Sequence, residues 1–442
     1  MVHKDTAGFV AVAAIALGLR MSGGALAQLS YATVALYALG GWAHVVRSLW
    51  LSWLLMMLNT GLVPESSASS LGRYVVLAGA VVSIVARWHA QRTRARARVT
   101  ALWATLGLGA AIAVHSLLFS SVVDVSVLKT AAWTAAAAAL CVAWSAMPLS
   151  ERRRTEEHIY AGLVATAVLS VPLVVAGPGY LRNGTGFQGV LNHPQAFGPT
   201  MAILGAWQLA KILSLGATWL RLAGVALTLG FVAMSESRTG LFALALGILV
   251  GVAGSQWKAV HGGSARRVRI GVLAIASVLL ATPFAADSMW GFLQKRSSSA
   301  TVIDMYDASR GRLMRAMLAN IEQRPIVGIG FGVASEASAM VVARDEMFGL
   351  PVGAAIEKGV LPLAIVEEVG VLGAVAVVAW LFVVMRGAMR GGVAAGAVSW
   401  TAVLTNLGES TLFSPGGLGL LVLMVVLWSA TSVDGAEARS EA

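Results

Sequence analysis

The sequence predicts an all-α protein that crosses a membrane about 12 to 14 times. Of its 442 residues, 57% are hydrophobic and 12% are charged, whereas an ordinary soluble domain carries about 25% charged residues. Mean hydropathy is +0.77. The apolar stretches have the length of about 20 residues that carries a helix through a bilayer, and they lack the alternation of a membrane β-barrel. These observations exclude a cytosolic enzyme and a disordered chain.

The candidate helices follow from cutting the apolar stretches at charges and at Gly/Pro clusters. The first one follows Lys4, and we expect it to be retained as a helix instead of being cleaved as a signal. We find no internal repeat and expect one integral membrane domain over 1–442. The spans are 8–20, 26–44, 47–63, 73–90, 99–119, 125–148, 158–177, 196–213, 219–234, 240–256, 270–286, 361–385, 393–410 and 417–432.

The charges predict the orientation. Lys and Arg number 32 against 21 Asp and Glu, a net charge of +11, but the basic residues lie in short clusters between apolar spans. We therefore expect membrane lipids, and not nucleic acid, as their partners. An even number of spans separates each cluster from the next, so all four clusters and both termini are expected in the cytoplasm. The clusters are Arg87 with Arg92, Arg94, Arg96 and Arg98; Arg152 to Arg154; Lys258 with Arg266, Arg267 and Arg269; and Arg386 with Arg390.

This orientation leaves 178–195, 235–240 and 287–360 outside the cytoplasm. The last is a large loop within the membrane domain, and loops of that length usually carry function. We expect an amphipathic helix at 308–323, ended by Pro325 and the glycines that follow it. Its apolar stripe consists of Leu313, Met314, Met317, Leu318 and Ile321. The single cysteine, Cys141, lies inside an apolar span, permits no intramolecular disulfide and is expected in the core.

Four arginines in the extracytoplasmic segments are candidates for a pyrophosphate clamp: Arg182, Arg238, Arg310 and Arg312. A guanidinium presents a rigid fork of donors that suits phosphate oxygens and stays charged. Alternatively, each arginine reaches lipid headgroups or pairs with a carboxylate such as Glu236. For Arg238 we favour function, because two apolar spans flank it with almost no loop between them.

The segment 186–198 is dense in polar side chains just before a predicted helix. Pro194 suits a helix start. His193 suits either a proton shuttle or hydrogen-bond donor to substrate, or a cap on that helix. Gln188 and Gln195 suit sugar hydroxyls.

The glycine run Gly328 to Gly332 predicts tight turns and not a nucleotide site, because no strand precedes it and its spacing fits no phosphate-binding pattern. Two charged sets flank the start of the span at 361: Glu357 with Lys358, and Glu367 with Glu368. A partly buried carboxylate there suits a general base, and the alternative is a solvated helix start. Asn406 and Glu409, in a late span, are further candidates for lining the same cavity.

Several motifs, which follow one another along roughly residues 160–385, together resemble those of the O-antigen ligase and O-antigen polymerase family. The motifs are Asn192-His193-Pro194-Gln195-Ala196-Phe197-Gly198, Ser237-Arg238-Thr239-Gly240, Ser309-Arg310, Pro325-Ile326-Val327-Gly328-Ile329-Gly330-Phe331-Gly332 and Glu368-Val369-Gly370-Val371-Leu372-Gly373. The resemblance implies a GT-C type membrane glycosyltransferase of the bacterial inner membrane. Such enzymes pass a glycan from an undecaprenyl-diphosphate-linked oligosaccharide donor to a glycan or lipid-linked acceptor, without cofactor, nucleotide sugar or, apparently, metal. It also implies that Arg182, Arg238 and Arg310 face the diphosphate.

One departure from the family pattern matters. The family's ligases carry a histidine about eleven residues before the glycine that matches Gly370. The count reaches Gly359, and no histidine occurs in 287–360. Either Glu357 takes the role of the base, or Lys358 adds to the diphosphate clamp, or the acceptor is activated differently. The missing histidine favours a polymerase or another exopolysaccharide-assembly relative over a lipopolysaccharide ligase. The rival class is a transporter or flippase of the same lipids, which the missing repeat disfavours.

Overall fold

The computed structural model describes residues 4–64, 68–88, 99–181, 183–184, 186–256, 302–336, 340–344, 349–354 and 358–432. Within these ranges the chain is almost entirely helical. The predicted span 270–286, the third basic cluster and all residues of the first cluster except Arg87 lie outside the described residues.

The helices follow the predicted spans closely, and two of them, 99–119 and 219–234, match at both ends. They are α1 Lys4–Ser22, α2 Gly24–Ala38, α3 Trp42–Met57, α4 Ala68–Trp88, α5 Val99–Phe119, α6 Val123–Ala146, α7 Leu149–Ser170, α8 Pro194–Leu215, α9 Trp219–Met234, α10 Arg238–Gln256, α11 Val302–Gln323, α12 Leu361–Arg390, α13 Val393–Leu404 and α14 Gly417–Ala430. Two short strands, β1 Val342–Ala343 and β2 Gly353–Ala354, pair antiparallel within the large loop.

The described helices establish an all-α protein embedded in a membrane. Six of them contain segments long and apolar enough to cross a bilayer, and four further apolar helices are shorter. The six segments are Asp5–Ser22, Ser70–Trp88, Thr100–Phe119, Val123–Ala146, Leu149–Val175 and Leu361–Arg390.

The predicted helix boundaries beside two arginines are wrong, and both errors come from treating arginine as a marker of the membrane surface. The predicted break at residues 45–46 falls inside α3, because the side chain of Arg47 is fully buried and pairs with Asp5 of α1 at 2.8 Å. Helix α7 begins at Leu149 and not near 158, because buried Arg152 belongs to its first turn.

The connecting segments meet at two opposite ends of the helix bundle. At one end the Asn59 amide donates to the carbonyl of Gly189 at 2.7 Å, and the Phe187 N–H donates to the carbonyl of Met234 at 2.9 Å. We call this the loop end; it gathers residues 58–64, 120–122, 171–193, 235–237, 324–336 and 405–416. At the opposite end, here the basic end, lie residues 39–41, 147–152, 212–218, 386–392 and 431–432. The segments predicted to share one side of the membrane therefore lie together.

Arg152 joins two helices at the basic end. Its guanidinium donates to the carbonyl of Trp144, in the last turn of α6, at 2.7 Å, and to that of Trp428, in the last turn of α14, at 2.5 Å. Helix C-termini leave carbonyls unsatisfied and carry partial negative charge, so a cation there is stabilising. Arg152, one member of the second basic cluster, therefore stabilises the packing of the helices.

Helix α14 lies at the centre of the bundle. Every residue from Leu418 to Ser429 is buried, as expected for a helix that is apolar on all sides. The Trp428 ring stacks on the Trp207 ring of α8, with 4.8 Å between their centroids.

Two glycines four residues apart let α10 and α13 pack with their backbones in contact. A Cβ added at Gly247 would lie 2.5 Å from the backbone nitrogen of Thr401, and one at Gly251 would lie 2.4 Å from the Cα of Ala397. Small residues at this spacing bring membrane helices close enough for extensive van der Waals contact. The α10–α13 pair is therefore a fixed unit.

We predict that Gly251→Ala destabilises the protein by about 1–3 kcal/mol, because the new methyl group collides with the α13 backbone. The matched control is Gly230→Ala in α9, where nothing lies within 4 Å of the added Cβ. Melting temperatures of the detergent-purified variants check this. A Gly251→Ala protein as stable as the Gly230→Ala protein would contradict the close packing.

Candidate functional site

Buried ionisable side chains meet where the large loop joins α12. The Lys358 ammonium lies 2.6 Å from Glu367 Oε2 and 3.3 Å from Glu368 Oε1. The three side chains are 2%, 0% and 8% exposed, in that order. Because an unpaired buried charge costs several kcal/mol, roughly 3–5, each of these groups depends on the others. Together with Lys129, whose Nζ lies 4.0 Å from Glu368 Oε2, they form what we call the ion cluster.

The two carboxylates have different surroundings. Glu367 accepts hydrogen bonds from the Asn320 amide of α11 at 2.7 Å and from the Ser335 hydroxyl at 3.1 Å, in addition to its pair with Lys358. Glu368 accepts one from the backbone N–H of Gly332 at 2.7 Å. Glu367 therefore fastens the end of α11 to α12, whereas Glu368 holds the glycine run.

Helix α12 is broken directly after the two glutamates. Gly370 has φ 65° and ψ −176°, and a Cβ there would lie 1.9 Å from the carbonyl oxygen of Ile326. A side chain would be excluded both by the left-handed backbone and by the close approach. The break leaves backbone groups of α12 without their helical partners.

Residues 325–332, here the glycine loop, supply the missing partners. The N–H groups of Ile329 and Gly330 donate to the carbonyls of Glu367 and Glu368 at 2.8 and 2.9 Å. The N–H of Val371 donates to the carbonyl of Pro325 at 2.9 Å. The loop makes these contacts because its three glycines, Gly328, Gly330 and Gly332, have φ of 65°, 123° and 70°. The predicted tight-turn geometry is confirmed.

A small cavity lies beside the ion cluster. Its volume of about 10 Å³ is close to what one water molecule needs. Glu368, Lys129 and Ser410 supply its polar lining, and Phe331 and Phe413 form part of its apolar wall. The Lys129 ammonium also lies 4.7 Å from the centre of the Phe331 ring. Glu368 is thus the carboxylate of the pair that lines this cavity.

Arg238 begins α10 at the loop end, as the sequence predicted. It follows a turn of three residues in which Glu236 has φ 55°, the one positive φ of a non-glycine residue among those described. Ser237 caps the helix by accepting from the N–H of Gly240 at 3.2 Å. The Arg238 side chain is half-buried, and its guanidinium makes no hydrogen bond to any described residue. Its five donors lie at the first residue of a helix, where an anion is favoured, and the carboxylate of Glu236 is near enough to stabilise the guanidinium charge.

Arg238 and the cavity are joined through the segment after α13. A Cβ added at Gly408 would lie 1.9 Å from the hydroxyl of Thr239, so this segment packs directly on the first turn of α10. Two residues later, Ser410 lines the cavity beside Glu368. The arginine and the carboxylate thus belong to one continuous region of the loop end.

Three predicted substrate-binding residues lie at the start of α8 or in the segment before it. Gln188 is buried, and its amide donates to the carbonyls of Pro178 and Tyr180, both at 3.2 Å. His193 is the N-cap of α8, since its Nδ1 accepts from the N–H of Gln195 at 3.1 Å. Of the roles offered for His193, the structure therefore shows the cap on the helix. The Gln195 side chain is exposed.

Other predicted site residues fall partly outside the described residues. Arg182 and Glu357 lie outside them altogether, as do the side chains of Arg310 and Arg312, whose backbone belongs to α11. The predicted loop helix is confirmed and begins six residues earlier than expected, at Val302. Its stripe buries Met317, but Leu318 is 42% exposed.

Lys358 is described, and its charge is already balanced by Glu367 and Glu368. Neither Asn406 nor Glu409 is among the residues that line the cavity. The side-chain oxygen of Asn406 accepts from the N–H groups of Thr411 and Leu412 at 2.9 and 2.7 Å and holds that turn.

Lys129 and Asn320 belong to the site but are not among the residues that the sequence predicted. Lys129 is a lone cation inside an apolar span, and such a residue usually has a specific partner. A single lysine inside an apolar span could therefore have been identified from the sequence. The role of Asn320 was not visible, because its partner Glu367 lies 47 positions away in the chain.

We predict that Lys358→Met destabilises the protein by about 3 kcal/mol or more, because two buried carboxylates lose their main cation. Adding Glu367→Gln should restore part of this loss, since it removes one of the two uncompensated charges while keeping an acceptor for Asn320. Melting temperatures of the two single variants and the double variant form the test. A double variant that is no more stable than Lys358→Met would refute the charge balance.

Within the described ranges, no group of three His, Cys, Asp or Glu side chains is placed to hold a metal ion. No model of a known protein family matches the sequence, and no curated protein matches it.

Proposed function

We propose that this protein is a membrane glycosyltransferase that transfers or polymerises undecaprenyl-diphosphate-linked glycans at the extracytoplasmic face of the bacterial inner membrane. The product is an O-antigen or exopolysaccharide chain, formed by a polymerase or a ligase. The class is suggested by the resemblance of the motifs to the O-antigen ligase and polymerase family. The geometry of the loop end supports it independently.

The observation that carries the proposal is the state of Arg238. Its guanidinium is half-buried at the N-terminus of α10 and makes no hydrogen bond to a described residue. When a glycosyl group leaves a lipid diphosphate, negative charge grows on the leaving oxygen. Fixed donors aimed at that oxygen lower the barrier, because they need no reorganisation when the charge develops. Arg238 has the donors and the position for this role, and none of its guanidinium donors is used by a described hydrogen-bond acceptor.

The transfer also needs a proton acceptor. The acceptor hydroxyl oxygen forms a bond to the anomeric carbon, the bond to the diphosphate breaks, and the hydroxyl proton passes to a base. Glu367 is fully engaged with Asn320, Ser335 and Lys358, which makes it unsuitable. We retain Glu357 as the proposed base. Its chain neighbour Lys358 is fixed by the ion cluster.

One observation favours a transporter or flippase as the second candidate. Helix α12 is interrupted at Gly370, and broken helices are common at the substrate sites of transporters. In this chain, however, the glycine loop satisfies the freed backbone groups on both sides of the break. The interruption therefore builds a fixed site more readily than a moving gate. A purified transporter would leave lipid-linked oligosaccharides unchanged in length.

We predict that Arg238→Ala abolishes glycan transfer while the protein remains folded and inserted. Loss of a donor to a developing oxyanion costs about 10²–10³ in rate. The assay incubates purified protein with lipid-linked oligosaccharide and follows longer products. The matched control is Arg390→Ala, in the last turn of α12 at the basic end, which should retain full activity. Products of normal length and yield from Arg238→Ala would contradict a role of Arg238 in stabilising the leaving diphosphate.

We predict that Glu357→Gln lowers kcat about 10²-fold or more and leaves the KM for the donor within about threefold, as expected for a base that acts in the chemical step. Steady-state kinetics with the lipid-linked donor measure both constants. Unchanged kcat would remove Glu357 from the role of base, and a rise in KM alone would make it a binding residue.

A further inference from the structure

The break in α12 marks the edge of the hydrocarbon layer at the loop end. The part of α12 that follows Gly370 runs to Arg390 at the basic end. At 1.5 Å per residue this part is about 30 Å long, and the hydrocarbon layer of a bilayer is also about 30 Å thick. The helix that follows the break therefore crosses the layer by itself, and the break lies where the layer ends.

A groove lies at the same level. Its volume is about 450 Å³, and it opens between the last turn of α5 and the chain that leaves α11. The carbonyl of Pro325 in its wall accepts from the N–H of Val371, the first residue after the break, at 2.9 Å. The lining residues are Leu118, Phe119, Gln323, Arg324, Pro325, Ile326 and Val327.

The lipid-facing sides of two membrane spans lead to this groove. Helices α5 and α12 both contain candidate spans, and an exposed apolar side chain on a span contacts acyl chains. Such side chains recur along both helices as far as the groove, and all are more than half exposed: Val114, Leu117 and Leu118 on α5, and Phe382, Val378, Val375, Leu372 and Val371 on α12. The groove therefore continues a surface that is covered by lipid on both sides.

A cation lies at the rim of the groove. Arg324 is exposed and directly follows the last residue of α11. Two residues further on, Ile326 is apolar and 59% exposed. A guanidinium just outside the hydrocarbon layer lies at the level of the lipid phosphates, whose oxygens suit its fork of donors. The order of apolar wall and cation thus follows the order of acyl chain and phosphate in a phospholipid.

We propose that the groove binds a phospholipid of the leaflet at the loop end. The upper part of one acyl chain lies against Leu118, Phe119 and Ile326, and the phosphate lies on Arg324. This lipid does not depend on the proposed function, because it occupies neither Arg238 nor the ion cluster. It lies against the start of the glycine loop, so the leaflet supports the segment whose Gly332 N–H binds Glu368.

The first test measures the depth of the groove in the full-length protein, reconstituted in nanodiscs of phosphatidylethanolamine and phosphatidylglycerol. Because Cys141 is buried, a nitroxide reacts with an introduced cysteine alone. The nitroxide at Ile326→Cys should collide more with oxygen, which enters hydrocarbon, than with a water-soluble nickel chelate. The matched control is Ala343→Cys, an exposed residue of β1 beside the half-exposed pair of Arg344 and Asp124, where the chelate should dominate. Equal access of the chelate to both positions would overturn the proposal.

The second test measures the phosphate contact. A bimane label at Leu117→Cys, a residue that is 61% exposed and does not line the groove, is quenched by a brominated lipid next to it. Replacing brominated phosphatidylcholine by brominated phosphatidylglycerol gives the relative affinity for the two lipids. Adding Arg324→Gln should lower the preference for phosphatidylglycerol about fivefold, the effect of one basic residue on an anionic lipid. The matched control, Arg315→Gln, changes an exposed arginine of α11 that does not line the groove and should keep the preference.

Two results of the quenching experiment would overturn the proposal. An unchanged preference in the Arg324→Gln protein would show that the phosphate does not contact this arginine. Loss of quenching on addition of a few mole per cent of undecaprenyl diphosphate would show that the groove selects a polyprenyl lipid over a phospholipid. Neither test measures glycan transfer, so a wild-type protein that transfers no glycan leaves the lipid site standing.

Discussion

The pairing of Lys358 with Glu367 and Glu368 is the interaction on which the loop end depends. Two adjacent carboxylates at the break of a membrane helix are tolerated only with cations beside them, and Lys358 and Lys129 supply the charge. The pair fixes the start of α12, Asn320 fixes the end of α11, and Gly332 fixes the glycine loop. One charge-compensated cluster thus determines the path of the chain on both sides of the large loop.

The helices were predictable because bilayer thickness and backbone hydrogen bonding leave few alternatives for an apolar stretch of about 20 residues. For the span 219–234, for example, both predicted ends agree with the ends of α9. The errors at Arg47 and Arg152 have one cause. A sequence does not distinguish an arginine at the membrane surface from one that is buried against Asp5 or against helix carbonyls, and only the partner makes the difference.

The candidate site was predictable where a local pattern defined it. Arg238 at a helix start, Pro194 with its capping histidine and the glycine turns all depend on neighbours in the chain. The surroundings of Gln188 and Glu367 did not follow from the sequence, because their partners Asn59 and Asn320 lie 129 and 47 positions away in the chain. Asn59, for example, lies 130 positions from the Gly189 carbonyl to which it donates. Long-range packing decided whether these polar side chains face a substrate or the fold.

The same packing explains how Arg238 is held relative to the cavity. The glycines of α10 bring its backbone against Ala397 and Thr401 of α13, and α13 leads directly to Gly408, which packs on Thr239. One helix pair in backbone contact therefore fixes the position of Arg238 and of the segment that carries Ser410 into the cavity. Electrostatic stabilisation of a transition state needs donors that are already in position. In this chain the close approach of two helices at Gly247 and Gly251 provides that rigidity at a distance from the charged groups themselves.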